Sequence, residues 1–418
     1  MALQTEVDMT IDPISAEYLS LAFALESHVE GLVDAYYGPP EPRERTEQRS
    51  QEPQTIAADV AALRHEVEAS AYPARRKAYL DVQLRAMETL GRKLSGEPIA
   101  YREEVRACFD IEAQSTPETV FDAAIAELDR LLPGSGSVAE RRQAWQQQFE
   151  VTPEVARRMI DRIAVEARTR TAALIELPVD ETVAFELVSD KPWSGYNWYL
   201  GQARSRVECN TDLPIRANSL VGLICHEAYP GHHTEHALKE QHLFVERGWG
   251  EHAMCLVAAP ECVISEGIAT LAPEIIFGTD AAPWAAVEIY PLAGLHGDPE
   301  REQQVAAAGR ALRALGANAA LLLHEEGTDP EEVVRYMMRY GLSTEREARQ
   351  SLRFISDPLW RAYVWTYHVG RDLLERWIEG GDRQARFRTL LTEQVYPSLI
   401  ERWIAEERMA QGDDPRPM

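Results

Sequence analysis

The chain has 418 residues, enough to bury a large core in one domain or in two lobes. Its 68 acidic residues outnumber 43 Lys and Arg, giving a net charge of −25. So acidic a surface repels nucleic acid and anionic membranes, which excludes both as expected partners. In chain order, "MALQTEVDMTIDPISAEYLS" has acids, no Lys or Arg and no apolar core, unlike a secretory signal. "YYGPPEPRERTEQRSQEPQ" (36–54) and "PGSGSVAE" (133–140) read as linkers. They divide the chain into an N-terminal helical lobe over 1–140 and a catalytic region over 141–410, or join these as one continuous domain.

Thr116-Pro117-Glu118 predicts a helix start, with Phe121, Ile125, Leu128 and Leu132 on its apolar stripe. Thr152-Pro153-Glu154 repeats the device ahead of Val155, Met159 and Ile163. Strand alternation is confined to Thr182–Leu187 and Arg204–Asn210, and "SDKPWSGYNWYLG" between them reads as a loop. "GTDAAPW" near 280 breaks the helical pattern. Asp329-Pro330-Glu331 opens a further helix that Gly341 caps, and "QGDDPRPM" frays at the C-terminus. No stretch approaches the roughly 20 apolar residues of a membrane helix. The five cysteines (108, 209, 225, 255 and 262) form no C-x-x-C pair, which suits a reducing cytoplasm.

The chemistry concentrates in "CHEAYPGHHTEH" (225–236), which holds four of the eleven histidines. In H-E-x-x-H, two histidines one helical turn apart bind zinc and the adjacent Glu serves as general base. Here the later histidines stand six and seven residues after His226. On a straight helix residue i+6 points about 120° away, and residue i+7 lies roughly 10.5 Å along the axis. Zinc–nitrogen bonds of about 2.0–2.1 Å span neither gap. Proline at 230 clashes with the carbonyl of residue 226, and glycine at 231 accepts the resulting backbone. A bulge at Pro230-Gly231 therefore brings His232 or His233 back beside His226. The bland alternative is a helix ending at Tyr229, with surface histidines beyond it.

A third ligand is expected from "ISEGIATLAPEIIF" (264–277), where Glu266 sits in an apolar helical run that makes an unpaired carboxylate costly. Glu274 lies about two turns further on the same face. Cys225 reads as a small buried packing residue and His236 as a solvated one among Glu235, Lys239 and Glu240. Zinc suits a His/His/Glu set, with manganese, cobalt or iron as alternative divalent ions.

"HEAYPGHH" followed by "SEGIATLAPE" resembles the bacterial domain of unknown function family 885, which carries H-E-x-x-P-G-H-H and a later E-G-W-A-L-Y-like segment. Ile268, Thr270 and Leu271 replace the Trp, Leu and Tyr of that segment. "LLLHEEGTDPEEVVRYM" and "RFISDPLWRAYVWTYHVGRDLL" resemble two further family stretches through His324, Gly327, Pro358, Tyr367 and Gly370. The similarity spans about residues 180–380 in spaced blocks.

The resemblance implies a mostly α, gluzincin-like metallohydrolase with a small β element before the metal-binding helix. By that analogy the metal ligands are His226, His232 and Glu266, with His233 as the alternative second ligand. Zinc would activate a water, Glu227 would act as general base, and Tyr367 and His324 would stabilise the oxyanion. The expected substrate is a peptide or small-molecule amide. "RVECNTDLP" is placed where gluzincins keep a peptide-binding edge strand, so Asn210 and Asp212 would line the cleft. Two other outcomes compete: a metal-dependent hydrolase or lyase for a non-peptide metabolite, and a non-catalytic helical binding protein with a structural or vacant metal site. Glu227 speaks against the last, since a structural site needs no base.

Overall fold

A computed structural model describes residues 11–48, 51–191 and 193–411. The first ten residues of the segment compared with a secretory signal, and all but Gln411 of the tail expected to fray, lie outside them. The described residues form nineteen α-helices and seven short strands: β1 Val33–Tyr36, β2 Glu150–Val151, β3 Thr182–Val188, β4 Gly195–Tyr199, β5 Arg204–Asn210, β6 Ile215–Arg216 and β7 Met254–Leu256. The fold is mostly helical with small sheets, as expected. No single described helix is long and apolar enough to cross a membrane; the Pro260–Phe277 and Ala281–Glu288 helices meet at a 69° bend, at the break expected near 280.

Helix starts follow the sequence signals unevenly. Thr152 caps its helix by accepting from the Val155 N–H, and Asp329 does the same for Glu331. Thr116 does not cap: the helix Glu118–Leu131 starts after Pro117, while the Thr116 backbone is held on both sides by the Asn318 amide. Gly341 is the last helical residue, and Leu342 adopts the left-handed conformation in its place. Much of the expected 36–54 linker is the helix Glu41–Glu47, pinned to the first helix by Thr46 donating to the Ser20 carbonyl.

The three-stranded sheet has the order β3-β5-β4, with β3 and β5 parallel and β4 antiparallel to β5. Strand β5 is therefore central, and the edges belong to β3 and to β4, the latter inside the stretch read as a loop. Aromatics at 196, 198 and 199 supply strand propensity that the Pro, Ser and Gly before them conceal. Asn210 and Asp212 are engaged in local hydrogen bonds. Asn210 donates to the carbonyls of Lys191 and Trp193, and Asp212 accepts from the Asp190 N–H, so both tie down the β3–β4 connection.

Residues on both sides of position 140 share cores. Leu19, Val60, Leu80 and Leu84 pack in one apolar cluster with Met254, Leu256 and Leu359. Strand β1 pairs with β7, which carries Asp34 from the N-terminal region toward the motif residues. The helix Pro260–Phe277 runs through the centre, its Ile264, Ile268 and Leu271 packing on Leu373 and Leu374 of the helix Val364–Glu379.

Candidate metal centre

The helix that begins at Ala217 ends at Glu227, and a new one starts at His232. Between them the Tyr229–Pro230 peptide is cis. The Gly231 N–H donates to the carbonyl of Cys225 at 3.0 Å and the Thr234 N–H to Ala228 at 3.2 Å, both reaching six residues back instead of four. This is the bulge that Pro230-Gly231 predicts. Glycine is required by contact: a Cβ at 231 would sit 1.9 Å from the His226 carbonyl oxygen and 2.4 Å from that of Cys225.

The bulge selects between the two histidines. The His226 and His232 rings meet edge to face, their centroids 4.7 Å apart. His226 Nε2 lies 3.5 Å from Glu266 Oε2, and His232 Nε2 lies 4.0 Å from Glu266 Oε1. One ligand atom from each of the three residues falls within 4.8 Å of the other two. His233, the alternative ligand, turns the other way. It is 1% exposed, with Nδ1 against the Ser205 hydroxyl at 2.8 Å and Nε2 against Glu181 at 3.0 Å. His236 is not solvated either: it packs on the Tyr199 and His232 rings with Nδ1 3.4 Å from Cys255 Sγ, and burial pushes its pKa down to about 4. Cys225 is fully buried, as a packing residue should be.

The donor set is prepared for a cation. His226 Nε2 is the ring nitrogen turned toward Glu266. Burial, reinforced by the neighbouring His232, drives the His226 pKa well down, and burial lowers His232 to about 4, so both rings are neutral donors. Glu266 Oε1 accepts from the Tyr363 hydroxyl at 2.7 Å, whereas Oε2 is buried without any hydrogen-bond partner. Burial raises the Glu266 pKa to about 7, and its unpartnered Oε2 beside His226 and its Oε1 beside His232 could hold a divalent metal ion together with the two imidazoles.

Two more carboxylates flank this set. Glu227 closes the first helix, 6% exposed, with Oε1 beside Gly195 of β4 and its backbone carbonyl accepting from Asn197. Burial first, then the charges of Glu266 and Asp34, raise its pKa to about 8. Asp34 reaches in from β1, bonded to the Tyr196 hydroxyl of β4, and burial raises it to about 6. Across from them the Tyr367 ring packs on Tyr363 at 5.6 Å and stays 39% exposed, so it borders open space. Desolvation and the charges of Glu266 and Glu227 push its phenol pKa well up, so it is a neutral donor.

The other expected oxyanion residue, His324, is not brought to this cluster by any contact. Its Nε2 is held by the Ile355 carbonyl at 2.6 Å and its ring lies against Tyr101 at 5.0 Å. Glu274 forms a separate ion pair, both its oxygens accepting from Arg371. Asp34, Tyr196 and Tyr363 escaped sequence reasoning. Tyr363, four residues before Tyr367 and thus one helical turn away, carried the only available signal.

No family model matches the chain, and no curated protein matches it. Among solved structures it is similar to one described as "the putative lipoprotein from Colwellia psychrerythraea", with a TM-score of 0.53 at 17% identity over 88% of this chain and 70% of that one. A second, "a putative lipoprotein of unknown function from Shewanella oneidensis", aligns with a TM-score of 0.48 at 11% identity over 94% and 82%. The first similarity shows a shared fold.

Proposed function

We propose that the chain is a zinc-dependent hydrolase of amide bonds, acting on peptides or small amides. One observation carries the reading: the buried Glu266 carboxylate, its unpartnered Oε2 3.5 Å from His226 Nε2 and its Oε1 4.0 Å from His232 Nε2. The motif resemblance to family 885, carried by the same residues, suggests the reaction class, although no family model matches the chain. Bound there, zinc would supply a Lewis acid and lower the pKa of a coordinated water. Glu227 takes the proton of the attacking water on its carboxylate and passes it to the leaving amine. Burial beside β4 favours its protonated form, and a bound divalent ion would lower that proton affinity and leave the carboxylate that the base needs. Tyr367 donates its phenolic hydrogen to the carbonyl oxygen as charge gathers there. Strand β4, the sheet edge nearest Glu227, supplies backbone groups against which an extended substrate can lie.

The test pairs metal content with turnover. Elemental analysis of protein purified without chelators should give about one zinc per chain. Peptide and ester libraries should then be turned over by wild type and slowed by about 10²–10⁴-fold in Glu227→Gln, which keeps its metal. Metal-free wild type would refute the site, and undiminished Glu227→Gln turnover would refute the base. Turnover of esters or small metabolites alone would move the substrate class away from peptides.

A further inference from the structure

We propose that Ser265 and Glu235 form a positioning relay that fixes His232 in its ligand tautomer; the zinc role of this relay rests on the function proposed above. His232 and Glu235 share one helix, three residues apart, while Ser265 precedes Glu266 on the central helix. His232 Nδ1 lies 3.0 Å from Ser265 Oγ, Ser265 Oγ donates to Glu235 Oε2 at 2.6 Å, and Glu235 Oε1 accepts from Lys239 Nζ at 2.5 Å. The Glu235 side chain is 2% exposed and that of Lys239 12%, so the ion pair is sheltered and Glu235 acts as an acceptor only.

Proton counting then sets the direction of each bond. The serine hydroxyl has one hydrogen, and Glu235 takes it. Its oxygen therefore accepts from His232, which places the imidazole proton on Nδ1 and the lone pair on Nε2, the atom turned toward Glu266. The opposite tautomer would set the Nδ1 lone pair against a serine oxygen with no hydrogen left to offer. The orientation and basicity of His232 thus depend on side chains. The relay joins two of the three ligand-bearing helices and passes the influence of a buried carboxylate through a hydroxyl to the donor nitrogen.

The test uses the full chain in two states. In metal-free wild type, imidazole ¹⁵N shifts should show His232 as the Nδ1–H tautomer, and Ser265→Ala should lose that preference. In chelator competition, Ser265→Ala should bind zinc about 10–100-fold more weakly, while Ser265→Thr, which keeps the hydroxyl, should stay near wild type. The urea midpoints of the metal-free variants separate this effect from unfolding. Wild-type affinity and unchanged tautomer in Ser265→Ala would overturn the relay, as would failure of threonine to restore affinity. Wild type that binds no zinc would refute the metal reading, and its His232 tautomer would still decide the relay.

Discussion

Gly231→Ala should uncouple the metal site from an otherwise intact chain. The new methyl would lie 1.9 Å from the His226 carbonyl oxygen, 2.4 Å from that of Cys225 and 2.6 Å from the His226 carbonyl carbon. All three are backbone atoms of the ligand residue His226 or of its neighbour Cys225, so no side chain can swing aside. Relieving the worst contact to 3.0 Å, below which real Cβ contacts are essentially never found, needs a shift of 1.1 Å. Metal–ligand distances hold within about 0.2 Å, so His226 and His232 cannot absorb such a shift and share an ion. Overpacking costs about 1–3 kcal/mol, and loss of the bond from Gly231 to Cys225 adds about 1 kcal/mol. The expected result is a folded protein about 2–4 kcal/mol less stable, with zinc affinity reduced by more than about 100-fold, beyond the range seen when an outer partner is lost. Urea unfolding of the metal-free protein and zinc titration measure the two effects separately. A variant that binds zinc with wild-type affinity would refute the claim that this close contact builds the site.

Two further outcomes distinguish neighbouring residues. His232→Ala should lose its zinc with little change in metal-free stability. His233→Ala should keep its zinc yet unfold more easily by about 2–3 kcal/mol, because Glu181 stays buried with only Tyr229 and Arg168 to satisfy it; elemental analysis beside urea midpoints reads both. His252 predicts an acid limb of stability. Burial depresses its folded pKa to about 3, against about 6.5 when unfolded, so the unfolded chain takes up a proton that the folded one refuses. Its contribution is complete above about pH 6.5 and falls away as the pH drops toward 3. His252→Gln, which keeps an acceptor for the Gln394 amide, should flatten the urea midpoint over that window; parallel curves for the two proteins would exclude this origin.

The legible part of the site was the part whose ligand types crowd one segment. His226, Glu227 and the Pro230-Gly231 break lie within six residues, and a carboxylate inside an apolar helix marks Glu266. The choice of His232 over His233 is a matter of backbone path: the bulge turns one imidazole toward Glu266 and its neighbour toward Glu181, which no spacing rule separates. Asp34 was illegible because it arrives through β1–β7 pairing, from more than two hundred residues before its partner strand. Strand β4 was hidden because its aromatics follow turn formers, and with it went one of the two sheet edges. Local propensity identified most helices, while long-range packing decided which residues surround the cluster.

The helix crossing behind Glu266 governs what can move. A Cβ on Gly370 would come 2.2 Å from the Val263 carbonyl oxygen, and one on Gly267 would come 2.7 Å from that of Gly370. Peptide backbone rests on peptide backbone there, so the separation of Glu266 from Tyr363 and Tyr367 has no rotatable spacer. Rotamer exchange on the picosecond-to-nanosecond scale cannot widen that gap. On the side of β4 and β1 the contacts run from side chain to side chain, as between Tyr196 and Asp34. The His/His/Glu cluster thus has a backbone-locked flank bearing Glu266 and both tyrosines, and a flank built from strand side chains.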